Sequence, residues 1–470
     1  MSDPDTPTKP AYEQRDDQRP ASAAAPSEEV VASAPARHDP YAALRYRDFC
    51  FFLIGWVASV VGSQILELAV GWDLYQRTHS AMTLGWVGLV SAIPIILFAL
   101  PAGHLADRFD RRRVMLGTQV LSTSCAIGLG ILAYYHGPLG AIYSVLFLSA
   151  VGKAFGWPAR SALVPSLVPT EIFANAVAWN TSGFQIAATT GPALGGLILA
   201  WNHTVAYFVA AGCGAVYILM ILPMRTRRAP THPEPATLKS LAAGIRFVID
   251  TQLILAIITL DLFAVLLGGA TYILPIFAQN ILHVGARGFG WLRASPALGA
   301  LLGAILMAHL PPMKRAGRAM LLAVAGFGLA TIIFGLSTSF WLSIAMLFLA
   351  GVFDNVSVMV RHTLVQLLTP DPMRGRVSAV NNIFIGASNE LGGFESGLTA
   401  RIFGPVISVV GGGIGTLVVV LATTVIWPQV RRFGSLVEAR PETPAKPETR
   451  NQNAEGPGAP GTNQARNQND

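Results

Sequence analysis

Gly103-His104-Leu105-Ala106-Asp107-Arg108-Phe109-Asp110-Arg111-Arg112-Arg113 packs four arginines and two aspartates into eleven residues between two long apolar runs. The runs, about 83–105 and 114–135, are each long enough to cross a hydrocarbon core of about 30 Å, which takes roughly 20 residues. A charge cluster between two such runs marks a turn at a membrane face. Working outward, the same alternation continues along most of the 470 residues, which are 52% hydrophobic and 13% charged. The mean hydropathy is +0.49. Soluble domains carry about 25% charged residues, so a soluble globular protein is excluded and an all-α integral membrane protein is expected.

Apolar runs bounded by Gly, Pro or charge clusters predict twelve transmembrane helices, at about 49–71, 83–105, 114–135, 139–160, 175–200, 203–223, 250–275, 289–309, 318–337, 340–361, 378–401 and 404–427. The eleventh is unusually polar, with Asn381, Asn382, Asn389, Glu390 and Glu395. An even number puts both termini on one side. The short connections on that side carry Arg108, Arg111, Arg112 and Arg113, then Arg225, Arg227, Arg228, Lys239 and Arg246, then Lys314, Arg315 and Arg318, then Arg374 and Arg376. The opposite connections hold little beyond Arg77, Arg287 and Arg293. Lys and Arg accumulate in cytoplasmic loops, so both termini are expected in the cytoplasm. The net charge of +7 then reflects membrane orientation, and no nucleic-acid partner is expected. Cys50, Cys125 and Cys213 lie singly in apolar runs, with no spacing for a metal or disulfide framework.

Residues 1–44 and 435–470 are Pro-, Ala-, Asn- and Glu-rich and are expected to be disordered cytoplasmic tails. The longest internal connection, 225–248, is expected to be a cytoplasmic linker between bundles at 45–224 and 249–434. These halves share identities at a constant offset of 201 residues: Arg160 with Arg361, Leu163 with Leu364, Val164 with Val365, Pro169 with Pro370, Asn180 with Asn381 and Gly191 with Gly392. Two parallel repeats around a midplane site are a recurrent transporter plan.

The Gly103 to Arg113 stretch resembles the G-x-L-a-D-R-x-G-R-[RK] signature of the major facilitator superfamily, with Asp110 where that pattern has a second glycine. The resemblance implies the major facilitator fold, twelve helices in two pseudo-symmetric six-helix bundles. It also implies a cytoplasmic gate in which Gly103, Asp107, Arg108, Arg111 and Arg112 hold the halves together, with Arg160 and Arg361 nearby. Gly191-Pro192-Ala193-Leu194-Gly195-Gly196 is similar to the GPxxGG motif of the superfamily's drug-proton antiporters. Gly183, Ala187, Gly191 and Gly195, spaced by four, form a small-residue stripe that permits close helix approach, and Pro192 permits a kink. With Thr78-His79-Ser80, Pro158 to Pro165 and Arg374 to Ser378, the pattern over 45–430 resembles the exporter branch that includes the enterobactin exporter and the drug-proton antiporters. Export from the bacterial inner membrane by a monomer is what that branch implies.

Intramembrane charges cost about 2.5–3.5 kcal/mol each on insertion scales, so they are expected to face protein or water. The first, fourth, seventh and tenth helices, which the resemblance makes cavity-lining, carry Glu67 and Asp73, Lys153, Asp261, and Asp354. Asp261, about ten residues into its helix, is expected at the midplane as the leading proton site. Lys153 and Asp354 share the 201-residue offset and are expected to pair across the cavity in one conformation and separate in the other. Glu390, a further expected coupling and cavity residue, lies beside a polar stripe on the eleventh helix, formed by Asn382, Gly386, Asn389, Gly393 and Ser396 and expected to face the interior.

No G-x-x-x-x-G-K-[ST] loop, HExxH or GxSxG occurs, so neither nucleotide-driven transport nor hydrolytic chemistry is expected, and no cofactor or metal is implied. The expected function is proton-coupled export of drug-like, amphipathic or siderophore-type small molecules by alternating access. A symporter or lysophospholipid transporter of the same superfamily is the alternative within the class, and a non-transporting receptor or scaffold the alternative outside it.

Overall fold

A computed structural model of the chain describes residues 39–225, 238–268, 270–310 and 313–434. The expected N-terminal tail up to residue 38, the whole expected C-terminal tail and linker residues 226–237 lie outside the described residues. Every regular element among the described residues is helical. The long helices of the first half are α1 (Arg47–Thr78), α2 (Ala81–Arg108), α3 (Arg111–Tyr134), α4 (Leu139–Leu163), α5 (Phe173–Trp201) and α6 (His203–Ile221). A shorter helix, α7 (Leu238–Asp250), precedes α8 (Gln252–Leu267) and the single turn α9 (Leu274–Ile276). Then come α10 (Gly285–His309), α11 (Ala316–Leu336), α12 (Phe340–Leu368), α13 (Asp371–Phe403), α14 (Pro405–Ile426) and the short α15 (Pro428–Arg432).

Among the described residues, eleven spans are long and apolar enough to cross a membrane. The twelfth, α13, has 33 residues but too many polar ones to register by composition. It packs against α2, α8 and α14, with Asn381, Ser388 and Ser396 buried and Asn382 and Asn389 exposed, which is consistent with a twelfth span. Within the first half α1 packs on α5 and α6, α2 on α4, and α3 on α4 and α6. The second half repeats this with α8 on α13 and α14, α10 on α12, and α11 on α12 and α14. The repeat inferred from the offset is therefore present as a repeat of packing.

Two local features depart from the expected pattern. The linker is not all loop, because α7 occupies its end. Val248 of α7 is buried and Gly244 lies against Val380 and the Arg376 carbonyl of α13. The seventh span is broken: α8 ends at Gly268, a 3-10 turn covers Ala270–Ile273, and a π-turn follows at Phe277–Ile281. Gly268 and Pro275 explain the break, since each weakens helical continuity. Discontinuous membrane helices are where transporters commonly build their sites.

The apolar core has three parts. One, including Phe49, Phe52, Met115, Leu163 and Ile221, lies wholly in the first half, at the end carrying the arginine-rich turn. A second, including Ile254, Leu260, Met320, Leu364 and Val380, lies wholly in the second half at the same end. The third is shared: Ile65, Leu68, Leu74 and Leu199 of the first half join Phe277, Phe289, Leu292 and Phe334 of the second. The halves thus have separate cores at the basic end and one continuous core at the far end. Several contacts stitch the far end. Asn280 donates to the Tyr75 hydroxyl at 2.6 Å, and Trp72 stacks on Phe289 with centroids 5.7 Å apart. Gly196 of α5 meets Gly290 of α10, and Gly85 of α2 meets Gly397 of α13. The glycine-rich motif is thereby split in use: Gly191 and Gly195 face α1, whereas Gly196 faces the other half.

Candidate substrate and coupling site

Among the described residues, two neighbouring cavities lie between these helices. The larger, about 310 Å³, is walled by first-half residues including Trp56, Gln64, Lys153, Trp157, Arg160 and Tyr217. The smaller, about 100 Å³, is walled by both halves, with Glu67 and Lys153 facing Tyr272, Arg293 and Glu390. Glu67 and Lys153 line both, so the cavities meet at this pair.

Glu67 is the hub of the charge cluster. Lys153 Nζ lies 2.8 Å from one carboxylate oxygen and Arg293 Nη2 lies 3.4 Å from the other. Lys153 comes from α4 of the same half, whereas Arg293 comes from α10 of the other half. The Glu67 and Lys153 side chains are 43% and 48% exposed, which keeps the pair reachable from the cavities. Glu390 of α13 accepts a hydrogen bond of 2.5 Å from the Tyr272 hydroxyl, and Tyr272 sits in the broken part of the seventh span. The break therefore delivers a phenol to a carboxylate that a continuous helix would not place there.

Several expectations are corrected by this geometry. In this conformation Lys153 is paired with Glu67 and stands apart from Asp354, as one state of the expected alternation would have it; the helical phase of α1 turns Glu67 toward α4, a fact the 201-residue offset does not contain. Asp354 is exposed and belongs to no ion pair among the described residues. Asp261 lines neither cavity; 12% exposed, it forms an ion pair with the buried Arg361, whose side chain is 4% exposed. Asp73 also leaves the cavity set. It is buried at the far end, 2.9 Å from Arg77, and Arg77 also donates to the Leu132, Ala133 and Gly137 carbonyls at the end of α3. Arg77 and Arg293 are thus not loop charges. Arg293, Tyr272 and Gln64 were missed as site residues; the broken-helix signal around Gly268 and Pro275 was the available pointer to Tyr272.

At the basic end the arginine-rich turn acts within its own half. Arg111 donates to the Ala162 carbonyl at 2.8 Å, capping the end of α4. Arg112 donates to the Ile221 carbonyl at 3.0 Å and also to the Leu222 carbonyl, at the end of α6. Cations there satisfy orphan carbonyls and oppose the helix dipole. No bond from these arginines crosses to the second half among the described residues, in keeping with the separate cores at this end. Arg108 is exposed, and the Asp107 side chain lies outside the described residues. Asp110, the departure from the signature, has a local role: its carboxylate accepts from the Arg112 and Arg113 backbone N–H groups and caps α3. Arg160 stacks on Trp56 and Trp157, with its guanidinium carbon 3.5 and 4.4 Å from the ring centres.

Two pseudo-symmetric six-helix bundles with a charged cluster shared between them define a multi-pass membrane transporter of the major facilitator type. The model of the family described as transmembrane secretion effector, MFS_3, matches residues 38–452, and the chain belongs to that family. It is 29% identical over 381 residues to the enterobactin exporter EntS of Escherichia coli O1:K1, covering 80% of this chain and 90% of that protein. The EntS of Shigella boydii serotype 18 matches to the same extent. Among solved structures, a bacterial homologue of the human lysosomal transporter Spinster, inward-facing and occupied, superposes with a TM-score of 0.65 at 13% identity, covering 84% of this chain and 99% of that one. The nucleoside transporter NupG gives 0.65 at 12% identity, covering 81% and 99%.

Proposed function

We propose that this chain is a proton-coupled exporter of amphipathic small molecules, working by alternating access in a bacterial inner membrane with both termini in the cytoplasm. The observation that carries this reading is Glu67, held at once by Lys153 of its own half and Arg293 of the other. An ion pair that bridges two moving halves has to be remade when they move, and a proton delivered to Glu67 removes the attraction that joins them. Glu390, hydrogen-bonded to Tyr272, supplies a second carboxylate in the same small cavity. Separate cores at the basic end and a shared core at the far end suit a state open toward the cytoplasm, given that basic loops face that side. The likeness to EntS favours export and a bacterial inner membrane.

The test is reconstitution into liposomes with a pH-sensitive dye inside and a panel comprising a cationic dye, a macrolide and a catecholate siderophore. Addition of a transported compound is expected to drive protons the opposite way across the membrane. Transport that leaves the internal pH unchanged would overturn the coupling, and no movement of any compound would overturn the exporter reading.

A further inference from the structure

The repeat makes Arg160 and Arg361 comparable residues, and they are held differently. Arg361 of the second half is 3% exposed and meets the Asp261 carboxylate of α8. Asp261 itself corresponds, at the same offset of 201, to Val60 on α1. Val60 lines the larger cavity together with Arg160. The first half thus keeps the arginine and omits its counter-ion.

What Arg160 has instead is two indole faces, those of Trp56 and Trp157. Stacking on rings occupies the faces of a guanidinium and leaves the N–H groups at its edge free. No carboxylate or carbonyl accepts from Arg160 among the described residues. Two further donors in the same cavity wall lack partners. The Tyr217 hydroxyl, on a side chain 4% exposed, and Trp56 Nε1 are both sealed from solvent and unbonded. Tyr217 and Trp56 pack against each other, with ring centroids 6.4 Å apart. A buried polar group without a partner costs about 1–3 kcal/mol, so two sealed donors, Tyr217 OH and Trp56 Nε1, beside the uncapped edge of the half-buried Arg160 point to a ligand that completes this wall.

Charge bookkeeping agrees. The two cavities hold the cations Lys153, Arg160 and Arg293 against the anions Glu67 and Glu390. Glu67 faces Lys153 and Arg293, leaving Arg160, two helical turns along α4, as the cation no side chain offsets. Arg and aromatic rings together favour planar anions, and the cavity wall beyond Arg160 offers Trp157 and Phe184, 55% and 42% exposed.

We propose that Arg160, Tyr217 and the Trp56 indole bind the anionic group of an aromatic or amphipathic acid, whose remainder lies along the cavity toward Glu67. The transported class is then organic anions; this rests on the exporter reading for its transport meaning but not for binding. Eleven residues of α1 separate Trp56 from Glu67, about 16 Å of helix, so an elongated molecule spans from the anion site to the charge cluster.

The test uses the full chain in lipid nanodiscs and equilibrium dialysis of three probes of one shape: naphthalene-1-carboxylate, naphthalene-1-methanol and naphthalene-1-methylamine, with empty nanodiscs subtracted. The carboxylate is expected to bind at least about tenfold tighter than the alcohol, and the amine more weakly than either. Arg160→Gln and Val60→Asp are each expected to erase the preference for the carboxylate, while Val60→Asn retains it. Val60→Asp carries the test if Arg160→Gln fails to fold, because it restores the carboxylate of the other half without removing Arg160. Equal binding of the three probes, binding of none up to about millimolar concentration, or a preference that survives Val60→Asp would overturn the proposal. Anion-selective binding without movement in liposomes counts against the exporter reading alone; movement without anion selectivity counts against this site alone.

Discussion

Glu67 of α1 and Arg293 of α10 lie 3.4 Å apart across the boundary between the halves, while Lys153 holds the other oxygen of the same carboxylate at 2.8 Å. One acid is therefore shared between an internal partner and an external one. Neutralising it leaves Lys153 and Arg293 facing each other without an anion between them. Glu67→Gln is expected to reduce pH-gradient-driven transport by at least about tenfold, the equivalent of losing ~1.4 kcal/mol of coupling. Exchange of labelled for unlabelled substrate at equal pH on both sides is expected to persist. Parallel loss of both activities would assign Glu67 to substrate binding or folding instead of coupling.

Asp261 and Arg361 form the contrasting case, an ion pair buried within one half with side chains 12% and 4% exposed. Removing one partner of a buried pair typically costs about 3–5 kcal/mol because the other charge is stranded, whereas replacing both is often neutral. Asp261→Asn is expected to lower the thermal unfolding midpoint of the purified protein markedly, and Asp261→Leu with Arg361→Met to recover most of the loss. Glu67→Gln, at a water-reachable site, is expected to leave the midpoint nearly unchanged. An Asp261→Asn protein as stable as the parent but unable to couple would restore Asp261 to the proton pathway.

The all-helical membrane class, the two halves and the end carrying the arginines were legible because they depend on composition averaged over whole segments. Helix rotation is not. Glu67, Asp73, Lys153, Asp261 and Asp354 all read as cavity charges, yet Asp73 turns to Arg77 and Asp261 to Arg361, because a shift of one residue turns a side chain by about 100°. Arg293 was read as a loop charge since it lies near the start of its span; in α10 it is eight residues in. The polar α13 was legible as inward-facing, and Glu390 does line the smaller cavity, but its partner Tyr272 was not. The phenol of Tyr272 depended on a broken helix, which apolar runs alone do not reveal.

Asp110 replaces a signature glycine and caps α3 through its carboxylate at 2.9 and 3.3 Å from two backbone N–H groups. Loss of a cap costs about 1 kcal/mol. Asp110→Ala is expected to lower the unfolding midpoint by a small amount, with Asp110→Asn close to the parent. A drop in Asp110→Asn as large as in Asp110→Ala would show that the charge, and not the cap, is what matters.

The glycines of the fifth helix separate packing within a half from packing between halves. A methyl group on Gly196 would sit 2.6 Å from the Gly290 Cα and 2.9 Å from the Ala286 carbonyl, both backbone of α10. Backbone cannot step aside, so α5 and α10 have to part. On Gly195 the nearest atom would be the Leu68 Cδ2 at 3.0 Å, the end of a side chain that can rotate. Gly196→Ala is therefore expected to weaken closure at the far end, and Gly195→Ala to leave it close to that of the parent. Spin labels on Trp201→Cys and Arg287→Cys, at the far ends of α5 and α10, read the separation directly. The expected result is a longer-distance population in Gly196→Ala that is absent from Gly195→Ala. If both variants match the parent, the Gly196–Gly290 contact does not hold the halves together, and closure rests on the Tyr75–Asn280 and Trp72–Phe289 contacts instead.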